Sequence, residues 1–135
     1  MVEQAFPDAI DFYGEDSDSL EVQRGMEGTY VAEVVDRGLQ DALGKSEAQI
    51  RYDLRNWVIA TQVPGGEPLL RARVRVAPSV PDGELLEEGS VLAARIHLGR
   101  GTVVFTSFHN ETQSAPFTQP TNDMLRILED IILSL

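Results

Sequence analysis

Two apolar, β-prone runs, residues 90–98 and 102–108, predict neighbouring strands in the second half of the chain. The residues between them, 99–101, read Gly-Arg-Gly, and glycine tolerates the positive φ that a tight turn requires. A two-residue turn at this point pairs Leu98 with Gly101 and sets the register of the two strands. We therefore predict an antiparallel hairpin.

This hairpin, over residues 90–108, carries apolar residues on both faces. The register places Leu92, Ala94, Ile96, Val103 and Phe105 on one face, and Val91, Ala93, Arg95, His97, Val104 and Thr106 on the other. Strands that are apolar on both faces are typical of sheets covered on both sides. We expect the second strand of the hairpin to be central in such a sheet, within a mixed α/β fold that has parallel and antiparallel strands.

Shorter patterns predict the remaining elements. Strands are expected at residues 28–35, 47–53, 57–61 and 69–76. Asp36 is a suitable N-cap for a short helix that Gly44 would end. The chain closes with a helix whose broad apolar surface is expected to pack on the sheet, formed by Met124, Leu125, Ile127, Leu128, Ile131, Ile132 and Leu135.

The strand at residues 69–76 alternates between apolar and basic positions. Arg71, Arg73 and Arg75 share one face of it. A row of arginines indicates a solvated face or an edge strand, because charge at an edge discourages aggregation. An anion-binding site is the alternative reading of the same row.

Length and composition narrow the class of protein. The chain has 135 residues, and we expect residues 1–135 to form one domain. Residues 1–27 are expected to be an acidic and partly irregular segment of it. No run of about 18 apolar residues is present, so we expect no membrane span. The chain has no cysteine, which fits a cytoplasmic location and excludes a thiol nucleophile.

The formal net charge of −11 narrows the classes of ligand that we expect the chain to bind. A surface this acidic repels phosphate, so we expect no nucleic acid and no anionic membrane as a ligand. The acidic excess at the start of the chain has two readings: a solvated face, or a docking surface for a basic partner.

The candidate site lies where the second hairpin strand ends. His109 and Glu111 follow that strand, and a histidine beside a carboxylate can act as a general base. We take these two as candidate catalytic residues and Ser107, Asn110 and Gln113 as candidate ligand-binding residues. The alternative is structural, with His109 bonded to a backbone carbonyl of the loop.

A metal centre is not expected. In the hairpin register His97 and His109 lie on opposite faces, roughly 20 Å apart at about 3.3 Å per residue. The remaining carboxylates do not show the spacing of metal ligands, so we predict neither a metal nor another cofactor.

The segment Phe108-His109-Asn110-Glu111 resembles the Phe-His-Pro-Glu element of class I glutamine amidotransferase-like domains. In that family the histidine and the glutamate complete a triad with a cysteine, and His109 and Glu111 match those two positions. Further similarity to amidotransferase-like modules of uncharacterised bacterial proteins extends over residues 2–14, 35–39, 52–54 with Trp57, and 101–113. The resemblance implies the C-terminal portion of a flavodoxin-like α/β domain.

Two departures from that family shape the functional prediction. The cysteine is missing, and the resemblance implies that the half of the domain that would carry it is missing as well. Ser107 could replace it only if the backbone bent, because side chains two apart on a strand lie about 6 to 7 Å apart. We therefore predict a non-catalytic, degenerate module for protein–protein interaction, with a partner chain or self-association covering the exposed sheet. The alternative is a hydrolase or small-molecule sensor that uses a His109/Glu111 pocket.

Overall fold

The computed structural model describes residues 8–14, 24–78, 82–108 and 122–135. Within these ranges it contains seven strands and two helices. In chain order they are β1 (Asp11–Phe12), β2 (Gly28–Val34), α1 (Arg37–Leu43), β3 (Glu47–Tyr52), β4 (Ala60–Gln62), β5 (Gly66–Val76), β6 (Leu86–Leu98), β7 (Gly101–Thr106) and α2 (Asn122–Ser134).

The strands form two sheets, and every pairing between them is antiparallel. The main sheet is curled and has the order β3-β2-β5-β6-β7, and β1 and β4 form a small second sheet. The predicted mixed α/β fold with parallel strands is therefore wrong. In β2 and β3 every second residue is exposed, which is the pattern of antiparallel strands with one solvated face.

The hairpin has the register predicted from its turn. Leu98 pairs with Gly101, and Gly99 has a φ of 59° in the left-handed region that glycine tolerates. The position of the hairpin differs from the prediction, because β7 is an edge strand of the main sheet. The central strand is β5, which the arginine row had suggested as a possible edge.

Both faces of the hairpin are nevertheless covered. We call the larger core the helix-side cluster; it includes Leu92 and Ala93 of β6 together with residues of α1 and α2. The other core, the small-sheet cluster, includes Ala94 and Ile96 of β6 together with residues around β1 and β4. The strand β6 thus contributes to both cores.

Irregular pairing between β5 and β6 explains why two adjacent residues, Leu92 and Ala93, belong to one cluster. The ladder shifts register so that Leu69 on β5 and Leu92 on β6 are left unpaired. Each extra residue is a β-bulge, and each bulge exchanges the faces of the residues that follow. The predicted grouping of Leu92 with Ala94 is wrong for this reason.

The short helix α1 begins and ends as predicted. The Asp36 side chain accepts a hydrogen bond from the Leu39 amide at 2.8 Å, and Gly44 ends the helix at a φ of 72°. Neither described helix has the length and apolar character needed to cross a lipid bilayer.

The helix α2 packs against β3 and α1 through fewer residues than predicted. Met124, Ile127 and Ile131 are buried, whereas Leu125, Ile132 and Leu135, which were expected on the same apolar surface, are exposed. The sheet therefore covers only one side of the helix.

Candidate functional site

The structure places one of the five predicted site residues, Ser107, directly after β7. Its backbone amide donates to the Leu92 carbonyl at 2.9 Å, and its Oγ lies 3.2 Å from the same oxygen. The Tyr52 phenol lies 2.6 Å from the Ser107 Oγ. A consistent set of donors has Tyr52 donating to Ser107 and Ser107 donating to Leu92. The hydroxyl proton of Ser107 is thus used in a structural hydrogen bond.

Tyr52 cannot act as the base that would activate this serine. Burial raises the pKa of its phenol well above the ordinary value. The ring also stacks on Trp57, with centroids 4.0 Å apart and planes inclined by 12°. The pair of Tyr52 and Ser107 therefore ties the end of β7 to the helix-side cluster.

The other predicted site residues, His109, Asn110, Glu111 and Gln113, lie outside the described residues. The structure therefore neither brings them together nor separates them. The second histidine, His97, is exposed at the end of β6, with its Nε2 3.9 Å from a Glu67 carboxylate oxygen. Among the residues described, no three His, Asp or Glu side chains are grouped so that they could hold a metal ion.

A different concave surface lies on the face of the main sheet turned away from the helices. We call it the sheet groove, and its volume is about 520 Å³. It is lined by Val31, Glu33, Glu47, Thr61, Gln62, Arg71, Ala72, Arg73, Glu88, Gly89 and Ser90. The strands β2, β3, β5 and β6 form its floor, and β4, which packs against β6, provides a wall with Thr61 and Gln62.

Register fixes how the charges of the sheet groove are arranged. Glu33 on β2 lies opposite Glu47 on β3 and, on its other side, opposite Arg71 on β5. The order across the sheet is thus carboxylate, carboxylate, guanidinium. All three side chains are exposed, and none forms an ion pair with another described residue.

Like charges directly opposite each other destabilise a sheet. The pair of Glu33 and Glu47 therefore has a cost that the described residues do not offset with an ion pair. Next along β5, Arg73 does have an ionic contact, since its Nε lies 3.5 Å from a Glu87 oxygen. Both of these side chains are more than half exposed, so this ion pair is weak.

A second concave surface adjoins the first at the edge of the sheet. This edge groove has a volume of about 560 Å³ and is lined by Val31, Lys45, Ser46, Glu47, Ala48, Gln49, Asn122 and Asp123. It shares Val31 and Glu47 with the sheet groove. Val31 is 59% exposed, which makes it an apolar contact point at the junction of the two grooves.

Within the edge groove the start of α2 is fixed by Asp123. One carboxylate oxygen lies 2.6 Å from the Lys45 Nζ, and the other accepts a hydrogen bond from the Gln49 amide at 2.7 Å. Because these groups are bonded to each other, Asp123 and Lys45 are less available to a ligand than Glu33, Glu47 and Arg71.

The sequence alone pointed to part of this surface. The alternation in β5 indicated that its arginines share one face, but the partners of that face depend on strand order. Glu33 and Glu47 are 14 positions apart and meet only because β2 and β3 pair across α1. Comparisons with protein-family models, curated proteins and solved structures found no match to this chain.

Proposed function

We propose that this chain is a non-catalytic module that binds another protein through the sheet groove. The observation that carries the proposal is the row of Glu47, Glu33 and Arg71, which lies exposed on the face turned away from the helices without an ion pair among the described residues. The sheet groove is concave, and its volume of about 520 Å³ leaves room for side chains of a partner.

The net charge of −11 supports a protein partner over a nucleic acid. A phosphate backbone would meet an acidic chain, and neutralisation of phosphates by Lys and Arg provides most non-specific nucleic-acid affinity. The grooves contain both signs of charge, which suits the mixed side chains of a polypeptide. A cytoplasmic location, expected from the lack of cysteine, remains a prediction.

Self-association is the second form that the partner can take. Ile132, Leu133 and Leu135 are 68%, 79% and 73% exposed at the end of α2, so this end offers an apolar contact to another chain. A second copy is thus one possible partner of the module. Sedimentation of the chain alone separates this form of binding from binding to a different protein.

The enzymatic alternative depends on His109 and Glu111 and remains a prediction. In the described part of the site, Ser107 is held in structural hydrogen bonds and has no base beside it, which favours binding over nucleophilic catalysis. The variant His109→Ala discriminates the two functions. A binding module tolerates it with little change in affinity, whereas a catalytic or sensing pocket does not.

The proposal is tested by selection from a phage-displayed library of random peptides on the immobilised chain. We expect related sequences to be enriched on the wild type and on the control Arg100→Glu, which makes the same charge change in the exposed hairpin turn. Enrichment should be lost on Arg71→Glu. Selection without enrichment, or the same enriched peptides on Arg71→Glu, would overturn the proposal.

A further inference from the structure

The arrangement of charges in the sheet groove allows a statement about the partner's sequence, which rests on the proposed function. We infer that the groove binds an extended peptide segment in which a basic residue and an acidic residue are two positions apart. The basic side chain lies between Glu33 and Glu47, and the acidic side chain lies over Arg71.

The first step of this inference is the distance between the two charged positions. Glu47, Glu33 and Arg71 lie in one row on three neighbouring strands, and strands are about 4.8 Å apart. The midpoint of the two glutamates is one and a half strand spacings from Arg71, or about 7 Å at the level of the backbone.

The second step compares this distance with the repeat of a peptide. In an extended chain, residues i and i+2 project to the same side and lie about 6.7 Å apart. A segment that crosses the strands can therefore place one side chain at the glutamate pair and the side chain two positions on at Arg71. The residue between them points away from the sheet and is free to vary.

The third step is the order of charges and the contact beside them. A lysine or arginine between Glu33 and Glu47 relieves the repulsion between two carboxylates that face each other. An aspartate or glutamate over Arg71 supplies the ion pair that this guanidinium lacks among the described residues. Val31, two positions before Glu33 on the same face, is 59% exposed and lies about 6.7 Å to one side of the row, so its amide is close enough to report binding there.

Smaller ligands fit the same row less well. In a free α-amino acid with an uncharged side chain, the nitrogen and the carboxyl carbon are separated by two bonds, about 2.5 Å, which is far short of the distance between the two positions. An inorganic anion at Arg71 would meet the carboxylate of Glu33 next to it. A divalent cation at the two glutamates would face the Arg71 guanidinium with only two carboxylates to hold it.

The inference is tested with synthetic peptides and the full chain labelled with ¹⁵N. The probe peptide, acetyl-Gly-Val-Lys-Thr-Glu-Val-Gly-amide, has its charges two positions apart. Two matched controls have the same composition, one with Lys and Glu adjacent and one with them three positions apart. We expect the probe to shift the amide signals of Val31 and Glu33 and to bind at least about tenfold more tightly than either control.

Charge exchange between the chain and the peptide provides the decisive comparison. The variant Glu33→Lys should bind the probe peptide more weakly than the wild type does. A peptide in which glutamate replaces the lysine should recover affinity for that variant. Equal binding of the probe and both controls, or shifts confined to residues outside the sheet groove, would overturn the inference. If the library instead yields peptides whose enrichment depends on Arg71 but whose charges are not two positions apart, the proposed function stands and this inference fails.

Free lysine and free glutamate are titrated in parallel under the same conditions. Shifts at Val31 and Glu33 from either amino acid alone, as large as those from the probe peptide, would show a small-molecule site and contradict the peptide assignment. The variant Glu129→Lys, which makes the same charge change as Glu33→Lys at an exposed position of α2, serves as the control for a general effect of charge on the chain.

Discussion

A single carboxylate, that of Asp123, joins three parts of the molecule. It bonds the Lys45 ammonium and the Gln49 amide, and it belongs to the first turn of α2, where a negative charge is favourable. Burial by itself would raise its pKa. The hydrogen bonds from Lys45 and Gln49, with the positive charges of Lys45 and Arg126, outweigh burial and hold the pKa below the ordinary value of 3.8.

The lowered pKa predicts a pH-dependent contribution to stability. Because the folded chain binds the carboxylate form more favourably, the contribution is complete above pH 3.8 and is lost as pH falls through the folded pKa. We expect Asp123→Ala to lower the free energy of unfolding by about 1 to 3 kcal/mol at neutral pH. The difference from wild type should shrink in acid well below pH 3.8, as the pH falls through the folded pKa and the carboxyl takes up its proton.

Urea denaturation followed by Trp57 fluorescence at both pH values measures this difference. The control is Glu129→Ala, an exposed acidic residue on the same helix for which the same removal of charge should change stability by less than about 0.5 kcal/mol. A destabilisation by Asp123→Ala that is equally large at both pH values would show that the side chain acts through packing and not through its charge.

At the scale of elements, the same region explains how an edge of the sheet is protected. The edge strand β3 directs the amides of Gln49 and Arg51 outward, and they donate to the Asp123 carboxylate and to the Met124 sulfur. An uncovered edge can pair with another chain, so the start of α2 limits β-sheet association on this side. The start of α2 already covers the β3 edge, which is consistent with the proposed binding of a partner at the face of the sheet and not at this edge.

The helix α1 connects β2 to β3 and so determines that Glu33 faces Glu47. With seven residues it is too short to be stable in isolation, and it depends on its ends and on tertiary packing. Asp36 provides the N-cap, and Arg126 of α2 donates to the Ala42 carbonyl in its last turn at 2.8 Å. Both termini of α1 thus have partners for backbone groups that a helix leaves unpaired.

We expect loss of the N-cap to destabilise the whole chain. The variant Asp36→Ala should lower the free energy of unfolding by about 1 kcal/mol. The variant Asp36→Ser should keep most of the wild-type stability, because serine also caps helices well. The matched control is Asp41→Ala, which removes an exposed carboxylate from the same helix. Thermal and urea denaturation measure the difference, and equal effects of Asp36→Ala and Asp41→Ala would contradict the capping role.

The fold was predictable where neighbouring residues determine it. The hairpin register and both ends of α1 follow from glycine and aspartate at particular positions, and the structure confirms them. Strand order was not predictable, because β2 pairs with β5 across more than 30 residues and no local pattern specifies this. The apolar residues on both faces of the hairpin led to the prediction of a central strand, although bulges and a second sheet explain these two apolar faces.

The candidate site, like the fold, was predictable only where neighbouring residues along the chain determine it. Sequence spacing could place Arg71 and Arg73 on one face of β5, but it could not place Glu33 and Glu47 beside them. The histidine and glutamate that follow a strand led us to predict five site residues between positions 107 and 113, and of these five the structure describes Ser107. That residue proved to be part of the packing around Tyr52. The charged row was visible only once strand pairing was known.

At the scale of the whole molecule, two hydrophobic clusters share one strand. Trp57, the only tryptophan of the chain, packs against the helix-side cluster, whereas Ile10 is fully buried in the small-sheet cluster on the other face. Because β6 contributes residues to both clusters, loss of one should remove support from the other. We therefore expect the chain to unfold in one cooperative transition, as most domains of this size do.

The variant Ile10→Ala tests this coupling across the sheet. Truncation of a buried isoleucine costs about 2 to 5 kcal/mol, and this loss should appear in full in the Trp57 fluorescence transition although Trp57 belongs to the opposite face. The midpoints from fluorescence and from far-ultraviolet circular dichroism should shift together. The control Leu54→Ala, at a side chain that is 45% exposed, should move neither midpoint appreciably. If Ile10→Ala leaves the fluorescence midpoint unchanged while the dichroism transition broadens, the small sheet unfolds on its own. The wall of the sheet groove formed by Thr61 and Gln62 would then be able to open without loss of its floor.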